Sequence, residues 1–149
     1  MKLLRSQIIN QIKVQFPSLS QNESFSRLVV SGFAAQLNPQ IDEISDIKTA
    51  ISEAVTNAIV HAYQNTTGKI ELVGTIYQGR ILYISIKDWG CGIVDIEKAM
   101  EPLFSTGLDE ERAGLGFTVM ESFMDSIKVR SVEGKGTTVV MVKKIRVKS

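Results

Sequence analysis

The chain has 149 residues, 44% hydrophobic and 22% charged, with a formal net charge of +1. That length and balance fit one soluble domain over 1–149 with a single core, and they give no global field for nucleic acid or an anionic membrane. No apolar run approaches the roughly 20 residues of a membrane span, and the single Cys91 forms no internal disulfide.

Met1-Lys2-Leu3-Leu4-Arg5 has a basic start but no following signal-like stretch, so the expected location is cytoplasmic. Residues 8–16 alternate loosely (Ile8, Ile12, Val14 and Phe16 against polar neighbours) and predict a strand ended by Pro17. Ser20 and Glu23 have capping-box spacing, and Phe25, Leu28, Val29 and Phe33 continue at helical spacing until Asn38-Pro39. Asp42 is placed to cap a second helix with Ile44, Ile47, Ile51, Ala54, Ala58 and Ala62 on one face.

Residues 69–77 and 80–87 read as a hairpin turning at Gln78-Gly79. A glycine-bearing segment follows, with a short helix at 95–100 and another at 116–125. A last hairpin joins 126–132 to 137–145, and Lys143, Lys144, Arg146 and Lys148 read as a solvated, frayed end. Helices and strands mix without strict βαβ alternation, which predicts a two-layer α/β sandwich.

Four places carry possible chemistry. Glu53 and Asn57 are four residues apart, about 40° of helical rotation, so they share a face that flanks the apolar stripe. They are either half-buried polar residues of an amphipathic helix or a base and a magnesium ligand at a cleft. His61 continues the row without a second metal-type neighbour and reads as a packed histidine.

Asp88-Trp89-Gly90-Cys91-Gly92 follows a strand directly. It is either a simple turn or a carboxylate placed for an exocyclic amine, beside glycines that admit a planar ring. Gly114-Leu115-Gly116 precedes the predicted helix at 116–125 and reads as a hinge or as N–H donors for phosphate at a helix start. It matches neither a Walker A loop nor a Rossmann turn. Gly136-Thr137-Thr138 opens the last strand, with hydroxyls toward either a cleft or water.

In order and spacing these pieces resemble the boxes of the GHKL (Bergerat-fold) ATPases: Glu53 with Asn57, Asp88 with Gly90 and Gly92, Gly114 with Gly116, and Thr137-Thr138. Within that superfamily the chain is similar, over nearly its whole length, to the anti-sigma factor serine kinases of endospore-forming bacteria. Leu19-Ser20-Gln21-Asn22-Glu23-Ser24-Phe25, Pro102-Leu103-Phe104-Ser105-Thr106 and Glu111-Arg112-Ala113-Gly114-Leu115-Gly116-Phe117-Thr118 are especially alike. Sigma-B-type stress regulators are the next nearest.

The resemblance implies a mixed, mostly antiparallel sheet with helices on one face and a site for ATP or ADP with Mg²⁺. Asp88 would hold the adenine amine with Thr137 or Thr138, and Gly90 and Gly92 would form the floor. Asn57 would ligate Mg²⁺, while Thr106, Arg112, Gly114, Leu115 and Gly116 would surround the phosphates under a mobile lid at 101–113. Glu53 would deprotonate a serine on the partner.

The resemblance further implies a homodimer that grips a sigma factor of the sporulation F type and phosphorylates its anti-anti-sigma antagonist, with Arg27 and Arg112 touching partners. No direct contact with nucleic acid or membrane is implied. The alternative is a nucleotide-gated sigma-binding module without kinase activity. Trp89 is bulkier than its place beside the adenine box leads one to expect, and the first seven residues precede the family-like start.

Overall fold

The computed structural model describes residues 3–100 and 108–147, with the backbone alone over 108–115. Strands β1 (Ile8–Pro17), β2 (Lys69–Tyr77), β3 (Ile81–Asp88), β4 (Ser126–Val132) and β5 (Gly136–Lys144) form one sheet in the order β1-β2-β3-β5-β4. All four pairings are antiparallel, so no parallel pair enters the expected mixed sheet among the described residues. Helices α1 (Gln21–Ala34), α2 (Ile41–Asn57), α3 (Ile96–Met100) and α4 (Leu108–Phe123) complete a two-layer α/β sandwich.

Period-two burial marks the covered face of the sheet: Ile70 and Leu72 in β2, Ile84 and Ile86 in β3, Val139 and Met141 in β5. Ile47, Ile51, Ala54, Val55, Phe117 and Met120 meet them from α2 and α4. Each large side chain in this layer contributes roughly 1.5–3 kcal/mol by leaving water.

Several boundaries differ from the sequence reading. Ser20 is helical and makes no side-chain cap bond. Glu23 instead accepts from the Ser52 hydroxyl and pairs with Arg27, because a tertiary partner on α2 competes for the carboxylate. Helix α2 is capped by Gln40 and Glu43, not Asp42: the Gln40 N–H donates to Glu43 Oε1 at 3.0 Å. Helix α4 starts at Leu108 rather than 116.

The first and last described segments are tied down. The extension folds as a short 3₁₀ turn, Arg5–Gln7, whose Gln7 carbonyl accepts from Gln78 at 2.8 Å. The basic tail is not frayed over its described part. Lys143 Nζ donates to the Phe123 carbonyl at 2.7 Å, and Arg146 pairs with Asp42 and with buried Glu43. Arg80, at φ 63 in the β2–β3 turn, donates to the carbonyls of Leu37, Ile145 and Arg146. These three bonds offset the cost of left-handed backbone at a non-glycine residue.

Glu43 joins the start of α2 to this tail. Burial works against its charge, but N–H bonds from Arg146 and Gln40, with the Arg146 guanidinium, hold the carboxyl below its ordinary 4.5. A depressed folded-state pKa gives stability that is present above the unfolded value and lost as pH falls through the folded one. Glu43→Gln is expected to cost about 2 kcal/mol at neutral pH in urea unfolding, with the difference shrinking below pH 4.5. A difference that stays constant down to about pH 3 would show that the charge of Glu43 contributes nothing.

Candidate functional site

Asp88 is the last residue of β3, facing Ile70 of β2 on one side and Thr137 of β5 on the other. It is buried. Its Oδ1 accepts from the Gly90 N–H at 2.9 Å and the Thr137 N–H at 3.2 Å. Burial pushes the Asp88 carboxyl up from its ordinary value, and the two N–H bonds pull the other way.

Beyond Asp88 the chain passes between two other backbones at very short range. A Cβ on Gly90 would lie 2.3 Å from the Ala62 carbonyl oxygen, and one on Gly92, at φ 75, would lie 2.4 Å from the Val132 carbonyl oxygen. Only glycine permits this approach. Two backbone bonds lock it: Cys91 N–H to the Ala62 carbonyl at 3.0 Å, and Gly134 N–H to the Cys91 carbonyl at 2.7 Å. Ala62 ends a π-helical turn, Ala58–Ala62, that continues α2 directly after Asn57. Such turns recur at functional sites because the extra residue redirects the helix.

The result is a cavity of about 310 Å³ whose wall includes Ile86, Ile93, Phe117 and Val139, with Asp88 and Thr137 among its polar groups. An apolar slot of this size with a few convergent polar atoms suits a planar organic ligand. The Thr137 hydroxyl shares a 2.8 Å hydrogen bond with Ser131, which is itself held by Ile93 and Gly136.

A second hollow adjoins it, lined by Glu53, Asn57, His61, Gly116 and the rim residues Thr56, Val60 and Val119. Asn57 and His61 belong to both. Gly116 of α4 lies directly against the pair on α2, since a Cβ there would sit 3.2 Å from Glu53 Oε2 and 3.4 Å from Asn57 Nδ2. Asn57 Nδ2 is buried without a hydrogen-bond partner, a cost borne where a ligand completes the set. Burial raises the Glu53 carboxyl above its ordinary value, helped by the charge of Glu23.

Residues 16–143 match the family described as histidine kinase-like ATPase domain. An anti-sigma F factor from Caldanaerobacter subterraneus subsp. tengcongensis is 58% identical over 136 residues, covering 91% of this chain and 94% of that one. One from Clostridium acetobutylicum is 53% identical over 135 residues, with the same coverage of 91% and 94%. The chain belongs to the anti-sigma F factor family.

A solved structure of the RsbU and RsbW domains of a Mycobacterium tuberculosis protein has a TM-score of 0.64 at 18% identity, over 91% of this chain and 32% of that one. At that identity the likeness is one of fold. Membership of an ATPase-domain family makes this anti-sigma F factor family member a nucleotide-binding protein.

The structure brings together Glu53, Asn57, Asp88, Gly92, Gly116 and Thr137 around the two hollows. Of the two threonines, Thr137 faces the cavity, while Thr138 lies one residue on, where a strand presents the opposite face. Gly90 does not line the cavity; it packs behind it on Ala62. Trp89 points away, 40% exposed, between Lys69 Nζ at 4.3 Å and Lys87 Nζ at 4.8 Å from its ring. It therefore does not crowd the cavity.

The expectation that Gly114 and Gly116 open a helix fails. Both lie inside α4, so their N–H groups are not those of a helix start. Thr106 lies outside the described residues, as does the lid through 107, and so do the side chains of Arg112 and Leu115. Arg27 is half-buried and braced, 3.4 Å from Glu23 and 3.0 Å from the Ser24 hydroxyl. The sequence reading missed the walls Ile86, Ile93, Phe117 and Val139, which carry the same apolar signature as the core.

Gly116→Ala is expected to raise helix stability by up to about 1 kcal/mol while its methyl group displaces Glu53 and Asn57. Thermal unfolding and nucleotide titration together check this. A rise in Tm with unchanged ADP affinity and unchanged turnover would show that the close approach of α4 serves packing alone.

Proposed function

We propose that this chain is an ATP- and Mg²⁺-dependent protein serine kinase that also binds a sigma factor of the sporulation F type. The observation that carries the catalytic half is the pairing of Glu53 with Asn57 under Gly116, next to a cavity closed by Asp88 and Thr137. The half concerning partners rests on relatives named anti-sigma F factor at 53–58% identity.

The residues present fit an adenine nucleotide. Asp88 is anchored through Oδ1 by two N–H groups, which supports its carboxylate accepting from an exocyclic amine in the apolar slot. The unpartnered Asn57 Nδ2 has an N–H donor free for a phosphate oxygen, and its amide oxygen is of the type that ligates a divalent cation. Mg²⁺ bound there would neutralise phosphate charge.

Glu53 then stands on the phosphate side, one helical turn before Asn57. A serine hydroxyl entering the second hollow would give its proton to Glu53 as its oxygen bonds to the γ-phosphorus. The bond from that phosphorus to the β-γ bridging oxygen breaks, and ADP leaves. The elevated carboxyl is matched to this duty, since a base with a higher pKa takes a proton more readily. Positioning supplies most of the acceleration in phosphoryl transfer.

In this reading an unphosphorylated anti-anti-sigma protein is the substrate, and a homodimer in the cytoplasm is the working form. Arg27 on α1 and Arg112 on α4 are the proposed partner contacts. Arg27 is linked through Glu23 to Ser52, the neighbour of Glu53. No described helix is long and apolar enough to cross a membrane.

Glu53→Gln is expected to retain ADP affinity within about twofold and to lose phosphoserine formation by 10²- to 10⁴-fold, on the order of a lost general base. Incubation with Mg-ATP and the antagonist, followed by phosphoserine detection, makes the measurement. Wild-type protein that binds sigma factor but forms no phosphoserine would leave a nucleotide-gated binding module. Asp88→Asn is expected to weaken ADP binding by about 10-fold or more, since a misplaced amide donor faces the purine amine; equal affinity in calorimetry would remove Asp88 from the adenine site.

A further inference from the structure

Past the last rung of the β2–β3 ladder, Ile70 with Asp88, the next residues in register are Lys69 and Trp89. They do not bond to each other directly. The hydroxyl of Tyr63 stands between them, accepting from the Trp89 N–H at 2.6 Å and donating to the Lys69 carbonyl at 2.6 Å. A side chain thus forms the rung at which β3 leaves the sheet, immediately after Asp88.

The placement of that hydroxyl is built in from three directions. Tyr63 directly follows the π-helical turn as its C-cap, and its ring is buried. The ring lies flat against Gly68, where a Cβ would come within 2.2 Å of it. Gly68 is held in turn by two bonds to Ser18: its N–H to the Ser18 hydroxyl at 2.9 Å, and the Ser18 N–H to its carbonyl at 2.8 Å. Burial, foremost, raises the Tyr63 phenol above its ordinary value, so it remains a donor at neutral pH.

We propose that Tyr63 is a positioning residue for base recognition: its hydroxyl fixes the Trp89 backbone and so aims the Asp88 carboxylate into the cavity. This rests on the adenine site proposed above. Neighbouring side chains of extended backbone point to opposite faces, and the bond keeps that alternation one residue past the end of the ladder. With the Trp89 N–H held toward Tyr63, Asp88 is turned inward while the Trp89 ring lies outside between Lys69 and Lys87. The Gly90 and Thr137 N–H groups hold Asp88 Oδ1 itself, and the bonds of Cys91 to Ala62 and of Gly134 to Cys91 act two residues beyond Trp89. The Tyr63 hydroxyl is the group that holds the peptide between Asp88 and Trp89, from which that carboxylate is presented to the Gly90 and Thr137 donors.

The test compares ADP with inosine diphosphate, which lacks the exocyclic amine that Asp88 would accept from. Calorimetric affinities are measured for wild type, Tyr63→Phe and Gly68→Ala. The methyl group of the second variant meets the Tyr63 ring first, and neither residue lines the cavity. In both variants the affinity for ADP is expected to fall about 10-fold while that for inosine diphosphate changes less than about twofold, so the preference collapses.

A merely structural role would lower both affinities together and leave the ratio intact. A wild-type ratio in a variant whose circular dichroism and Tm show it folded overturns the proposal. Should Tyr63→Phe fail to fold, Gly68→Ala decides alone. If wild-type protein itself shows no preference for ADP, the adenine reading fails and this inference with it, an outcome distinct from a preference that survives the substitutions.

Discussion

Three backbones meet around Asp88 at distances that no side chain larger than hydrogen tolerates: the end of β3, the π-helical turn after α2, and the β4–β5 hairpin. This convergence fixes nearly everything else in the site. The π turn anchors the same helix that carries Glu53 and Asn57, so locking it to Cys91 ties the hollow beside those two residues to the cavity beside Asp88. Locking Cys91 to Gly134 brings the hairpin in, and with it Thr137 and Ser131. The cost of burying the Asp88 carboxylate is offset by bonds from Gly90 and Thr137, two of the converging segments.

The helical layer adds the second half. Helix α2 lies on the sheet through Ile47, Ile51, Ala54 and Val55, which leaves Glu53 and Asn57 at the edge of that buried stripe. Helix α4 closes over them at Gly116, where the absence of a side chain brings its backbone against both polar groups. Glycine in a helix interior weakens the helix, and here that weakness coincides with close approach to Glu53 and Asn57. Membership of the anti-sigma F factor family and its ATPase domain accords with a fold whose polar groups gather at one end of the sheet.

Helix α1 is linked to this end by one carboxylate. Glu23 accepts from Ser52 and pairs with Arg27, so it joins a charged surface position to the turn that precedes Glu53. The sequence spacing of Ser20 and Glu23 points to a local capping box, and that local bond is not made. A tertiary partner took the carboxylate instead. At α2 the cap moved from Asp42 to another local pair, Gln40 and Glu43, while Asp42 is paired with Arg146 from the other end of the chain.

Periodicity and turn chemistry alone placed all five strands to within a residue or two, together with the existence of the helices, since alternation and helical spacing are local properties of the chain. By type and spacing alone the segments carrying Glu53, Asn57, Asp88 and Gly116 each allowed a plain structural reading, and it is their shared order, resembling the GHKL boxes, that singled them out. Other features depended on which segments lie side by side. Thr137 rather than Thr138 faces the cavity through the register of β5 against β3. Trp89 lies outside between Lys69 and Lys87 with its N–H on Tyr63, and Gly90 is set behind the wall on Ala62, partners more than 25 positions away for the backbone of each. Tyr63 itself reads in sequence as an ordinary aromatic, and only the meeting of Lys69 with Trp89 gives its hydroxyl a task.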